Sequence, residues 1–369
     1  MGGRGSASAR RGYRRAHRLR SSQRGVVAVI GTLLALLVFF ALFGIFLTQY
    51  VPLWMTDNEA AFSANAQASF AQIKSGMDTQ YVLGGPQSYG TPVAISSDGI
   101  PLLAQPTQGS LVFLPQNCPA PASKTYTYPS GFYTKGSTGA TAANYGQPVN
   151  PAYCTFMNFT ETTGPGGSGK FSQAVMTGVL EFMLPNRYYS AQTFYLEDDA
   201  VIQSQGGGNS VMSVPPPINI TNVGGNITIW GSLLQLYGNS SSVIGTGTEP
   251  VYTNLRYTQL VTSNGALGAS PGTFVPFTFD FEMGTQYPCA WGSFFNNLLY
   301  NASGLPTSSF TLTSGLYSSA THVTYFQTQG TTCTSTNGAT SVLTVTITGV
   351  DYAAVYVAGI QVGIGVGAS

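Results

Sequence analysis

Arg24-Gly25-Val26-Val27-Ala28-Val29-Ile30-Gly31-Thr32-Leu33-Leu34 opens an apolar run that reaches Leu47, interrupted only by Thr32. A stretch of about 20 apolar residues crosses a bilayer as a helix. This one is too long and unbroken for a secretory h-region, and no small-residue cleavage site follows it. Arg4, Arg10, Arg11, Arg14, Arg15, Arg18, Arg20 and Arg24 precede it with no acid among them. A basic arm can bind nucleic acid. Abutting an apolar run, it reads instead as a cytoplasmic topology signal, because positive charge stays inside. The expected topology is a single pass, N-terminus cytoplasmic and C-terminal domain extracellular, with no nucleic-acid partner.

The helical pattern continues beyond the membrane. Ala61, Ala64, Ala68 and Ala71 step by three and four and so share one helical face. Small residues on one face let helices approach closely, and Phe62 and Phe70 add apolar area near that face. Pro52 should kink the helix, and Gly84-Gly85-Pro86 should end it. From Val26 to Tyr81 such a helix measures roughly 80 Å at 1.5 Å per residue. Ordinary anchoring needs no extra-membrane helix of this composition; a filament core does.

Ser22-Gln23-Arg24-Gly25-Val26-Val27-Ala28-Val29-Ile30-Gly31 resembles the leader junction of archaeal type IV pilins: a basic leader ending in Arg-Gly, then a Val-Ile-Gly motif opening the hydrophobic helix. The resemblance implies a prepilin peptidase as partner, cleavage after Gly25, and Val26 as the mature N-terminus. Ile30 stands where bacterial pilins place a glutamate, which favours the archaeal branch. A plain uncleaved signal anchor is the competing reading. The segment around Asn186-Arg187-Tyr188-Tyr189 and Pro215-Pro216-Pro217 also resembles archaeal pilin-like surface proteins, and implies no chemistry.

Beyond Tyr81, short runs rich in Val, Ile, Thr, Tyr and Phe alternate with Gly, Pro, Asn and Ser clusters. Strands are expected over 110–114, 171–183, 193–203, 226–236, 252–261, 273–282, 308–316, 321–327, 341–348 and 352–362. The expected fold is mainly β: a long N-terminal transmembrane helix followed by a β-sandwich or jelly-roll-like ectodomain. The organisation reads as a basic leader (1–25), the helix (26–82) and two β-rich parts (83–217 and 218–369), divided at the stiff Pro215-Pro216-Pro217 connector. The leader takes eight of the 14 Lys and Arg, so the remaining six face all 13 acids, a net −7. Charged residues are only 7% of the chain, which suits an exposed β-protein with a polar, uncharged outer face and argues against a cytosolic enzyme.

Cys118, Cys154, Cys289 and Cys333 are even in number and outside the membrane, so two disulfides are expected. Three pairings exist; Cys118–Cys154 with Cys289–Cys333 is favoured, because each closes a Gly/Ser/Thr-rich region. Zinc is disfavoured: the cysteines are scattered, and His322 is the single ectodomain histidine. N-glycosylation sequons at Asn158, Asn219, Asn226, Asn239 and Asn301 would make a low-charge surface soluble.

Candidate chemistry is thin. Gly164-Pro165-Gly166-Gly167-Ser168-Gly169-Lys170 imitates a phosphate loop, but Phe171 stands where Ser or Thr must ligate magnesium. His322 lies in an alternating strand pattern with no nucleophile elbow. Glu197, Asp198 and Asp199 form the densest acidic patch. A hairpin turn between Tyr195 and Val201 explains them; calcium ligation is the rival reading. No catalytic residue and no cofactor are expected. The sequence points to a structural cell-surface protein, a pilin-like subunit of a filament or adhesive structure that self-associates or joins related subunits. The alternative is a stand-alone anchored adhesion protein that binds glycans or envelope components.

Overall fold

The computed structural model describes residues 28–85, 87–115, 155–163, 170–205, 209–264, 276–285, 287–302, 304–316 and 341–365. Helix α1 runs from Ala28 to Leu83 and, among the described residues, is the one helix long and apolar enough to cross a membrane. Pro52 leaves it unbroken. A π-helical turn at Phe46–Tyr50 precedes the proline, and Val51 N–H donates to the Phe46 carbonyl. Widening the turn is one way for a helix to absorb a missing donor. The helix ends where expected: Gly84 takes a left-handed φ of 64°, and its N–H donates to Gln80 O at 3.0 Å.

The described residues up to Asp57 form one compact unit with Gly99–Gln105; Asn58–Asp98 and the described residues from Pro106 onward form the other. The second unit is mainly β, built on two sheets. In the larger, the strand path is β1 (Ser88–Ala94), β12 (Thr248–Asn264), β15 (Ser341–Ile364), β13 (Phe277–Thr285), β3 (Thr155–Thr163) and β4 (Lys170–Thr177). Off that path, β10 (Asn226–Tyr237) pairs with β15 and with β9 (Ile218–Val223), and β14 (Phe310–Leu316) pairs with β15. The smaller sheet is ordered β11 (Ser241–Gly245), β2 (Gly109–Leu114), β5 (Val179–Leu184), β6 (Gln192–Glu197), β7 (Ala200–Gln205), β8 (Asn209–Val214).

Strand β15 organises the larger sheet. Its first half, Ser341 to Val350, pairs with β13 and β14; its second half, Val350 to Ile364, pairs with β10 in parallel and β12 antiparallel. The side chains alternate. Ala353, Val355 and Val357 join one apolar core with Phe277, Phe279 and Phe281 of β13 and Trp291 of the short helix α2 (Pro288–Asn297). Ala358, Ile360 and Val362 join a second core, shared with Phe113, Phe182 and Phe194 of the smaller sheet and with one face of α1.

Three differences from the sequence reading are informative. The run 171–183 is two strands in different sheets: the chain switches at Gly178, whose N–H donates to Leu236 O at 2.6 Å. A Cβ there would sit 2.7 Å from Leu114 O, so only glycine admits this approach. The runs 341–348 and 352–362 are one strand. The triple proline does not separate two subdomains: β1 and β3, before it, pair with β12 and β13, after it. Pairing across the connector ties both parts into shared sheets. The expected strand at 321–327 lies outside the described residues.

Candidate functional site

Helix α1 is two-faced from Asn58 onward. Phe62, Ala66, Phe70, Ile73 and Met77 are buried in the second core. Phe70 lies against Phe182 and Phe194, with centroids 6.3 Å and 6.2 Å away. Phe62 meets Phe182 edge-on at 5.9 Å. Gln80, also buried, donates to Thr253 O at 3.0 Å and Thr253 Oγ1 at 2.8 Å on β12. On the opposite side, Ala61, Ala64 and Ala68 are exposed and Ala71 is half-buried. Ala61, Ala64 and Ala68 are therefore left uncovered by the described β-unit, whereas both phenylalanines are committed to their own chain.

Two charged residues lie in phase with the buried face. Glu59 is buried and caps a loop. Its Oε1 accepts from Thr107 Oγ1 at 2.5 Å and Arg187 N–H at 3.0 Å; its Oε2 accepts from the N–H groups of Tyr188 and Tyr189, each at 2.7 Å. Burial alone would raise its pKa, but the Thr107 hydroxyl and the three backbone donors outweigh it and hold the carboxyl below its ordinary value. Asn186 completes the clamp, donating to Ser63 Oγ at 3.2 Å and Ser190 O at 2.9 Å.

The second is Lys74. Its Nζ lies 2.7 Å from Asp78 Oδ2 and 3.0 Å from Asp199 Oδ1. Burial works against the ammonium, yet Asp199 and Asp78 prevail and raise its pKa. Asp199 belongs to the β6–β7 turn, where Asp198 and Asp199 take φ of 49° and 72°. A two-residue turn with both residues at positive φ matches the twist of a hairpin, and Asp tolerates that conformation. The hairpin is thus where the sequence placed it. It is nevertheless fully buried, as are Glu197, Asp198 and Asp199.

Burial sets the protonation of this turn. Burial pushes Glu197 up to about 7, with the nearby Thr285 and Trp291 opposing it. Asp198 is raised by burial and then by Glu197 and Asp199, with the nearby Thr177 opposing. Asp199 is raised by burial, with Lys74 opposing. Of the three carboxyls, Asp199 is the one with an ion pair, to Lys74. Among the described residues, no group of three or more His, Cys, Asp or Glu side chains is placed to hold a metal ion.

The remaining candidates are dispersed. Arg24, Gly25 and Val26 lie outside the described residues, as do Cys118, Cys154, Cys333, His322 and 164–169 of the phosphate-loop imitation. Cys289, in α2, is disulfide-bonded. Asn226 and Asn239 are exposed and Asn219 is half-buried; the side chains of Asn158 and Asn301 fall outside the description. Sequence reading missed Glu59 and Lys74. The signal was a charge at helical spacing from the Phe62–Met77 stripe, where a solvent-facing charge would be out of phase. No protein-family model, curated protein or solved structure matches the chain.

Proposed function

We propose that this chain is a pilin-like structural subunit of an extracellular filament or adhesive surface structure. The supporting observation is the division of labour on α1: one face is buried in the chain's own β-unit, and the opposite face presents Ala61, Ala64 and Ala68 to solvent. A helix that only held an ectodomain on a membrane would need no small-residue face beyond the bilayer. Packed against copies of itself, that face permits close helix approach. In this reading a prepilin peptidase removes the leader after Gly25, on the cytoplasmic side, and the apolar part of α1 holds the subunit in the membrane until assembly. The two sheets serve as a sandwich-like outer domain, cross-linked by disulfides and carrying glycans on its sequons. The role is structural, without catalysis.

The experiment is a double substitution, Ala64→Leu with Ala68→Leu. Both side chains are exposed, so the β-unit should fold unchanged. Overpacking a close interface costs about 1–3 kcal/mol per site, repeated at each subunit. Sheared filaments should disappear while membrane-bound protein persists. If wild-type protein fractionates only as a membrane-bound monomer, the stand-alone anchored reading replaces this one. N-terminal sequencing of the surface form separates the two independently: Val26 for a processed pilin, the intact arginine-rich arm for a signal anchor.

A further inference from the structure

Lys74, Asp78 and Asp199 form a trio centred on the lysine. The lysine touches both carboxyls, at 2.7 Å and 3.0 Å. Asp78 also lies close enough to Asp199 to help raise its pKa. The side chains of Lys74 and Asp199 are 5% and 0% exposed, and that of Asp78 is 38% exposed. A plain ion pair needs one acid and gains from water around it. Here an amine and a carboxyl touch while almost wholly buried, and a third group with acid–base capacity touches the amine.

We propose that Lys74 and Asp199 condense into an intramolecular isopeptide bond, with Asp78 carrying the protons. The balance is simple. The Nζ lone pair attacks Cγ of Asp199, so a C–N bond forms. The bond from Cγ to one carboxyl oxygen breaks, and its electron pair leaves with that oxygen. Nζ starts as an ammonium with three protons and ends as an amide with one. The two protons it loses pass through the Asp78 carboxyl to the departing oxygen, which leaves as water. Asp78 ends as it began, nothing is oxidised or reduced, and no co-reactant is required.

Three features favour the reaction here. Fixed contact between the reacting groups replaces a bimolecular encounter. Burial holds Asp199 well above its ordinary pKa, which favours the neutral acid that must lose an oxygen as water, while the two acids keep Lys74 an ammonium that must first pass a proton to Asp78. A neutral amide also removes the desolvation cost that a buried ion pair retains. The partial exposure of Asp78 gives the released water an exit. The bond would fasten α1 covalently to the tip of the β6–β7 hairpin, so that force drawn along the helix reaches the sheet through a covalent bond. The inference does not depend on filament assembly.

Mass spectrometry of the recombinant full chain, purified in detergent with its disulfides reduced and alkylated, tests it. The wild type should be one water lighter than its sequence, and proteolysis should release a branched peptide joining Lys74 to Asp199. Lys74→Arg preserves the ion pair and should have its full sequence mass. Asp78→Ala, with the wild-type circular dichroism spectrum, should also be unlinked. Folded wild-type protein at full mass overturns the proposal, as does a deficit that maps to any other pair of residues. A branched peptide in Asp78→Ala at wild-type yield overturns the role of Asp78.

Discussion

The ring of Phe70 on α1 stacks on that of Phe182 on β5, with centroids 6.3 Å apart and planes 6° from parallel. Both side chains are fully buried. Stacked aromatic pairs contribute beyond their buried area, and this pair joins the helix to the middle of the smaller sheet. From Asn58 onward the helix is therefore part of the core of the β-unit.

Phe70→Ala should accordingly destabilise the β-unit. Removing a buried phenylalanine typically costs about 3–5 kcal/mol. Thermal unfolding followed by circular dichroism would measure it. Ala68→Ser, on the exposed side two residues away, should leave the midpoint almost unchanged. Equal effects from the two substitutions would contradict the assignment of faces.

Glu59 predicts an acid-labile clamp. Its folded pKa lies below the ordinary 4.5. The stabilisation is therefore fully present above the unfolded value and lost as pH falls through the lowered folded one. Glu59→Gln sets an amide N–H₂ against backbone donors. At neutral pH it should cost about 1.5–3 kcal/mol, the worth of charge-assisted hydrogen bonds. Denaturant titrations across pH should show the gap between variant and wild type shrinking below pH 4.5. A gap that stays constant into strong acid would rule out the carboxylate as its source.

Glu161 on β3 predicts the opposite slope. It is buried, its Oε1 lacks a hydrogen-bond partner, and burial pushes its pKa up to about 7. A raised acid favours folding below the unfolded pKa and loses that advantage as pH rises through the folded one. Its contribution should fall between pH 4.5 and 7 and then level off, a drop on the order of 3 kcal/mol. Glu161→Gln should flatten this part of the stability profile and make the protein more stable at pH 8. A variant less stable than wild type at pH 8 would mean that the ionised carboxylate has a favourable partner.

Much of this architecture is decided by short-range chemistry that residues carry with them. The run from Val26 to Leu47 has no polar face to offer water, so it reads as a bilayer helix without any knowledge of the fold. Gly84 ends α1 because glycine enters the left-handed region without strain. The hairpin at Asp198-Asp199 follows from two residues that tolerate positive φ between strand-forming runs.

Tertiary structure decided what covers each face. A period of 3.6 shows that α1 has an alanine side and a phenylalanine side, but periodicity is local and carries no address. That Phe62 and Phe70 meet Phe182, over 100 residues away, depends on which sheet returns to the helix. The same holds for Lys74 and Asp199, each unremarkable alone, which become a buried pair only when the hairpin tip reaches the helix. Strand β15 makes the point within the sheet: its two halves read as separate strands around Gly349, and it stays continuous because β10, β12, β13 and β14 take up its hydrogen bonds along its length.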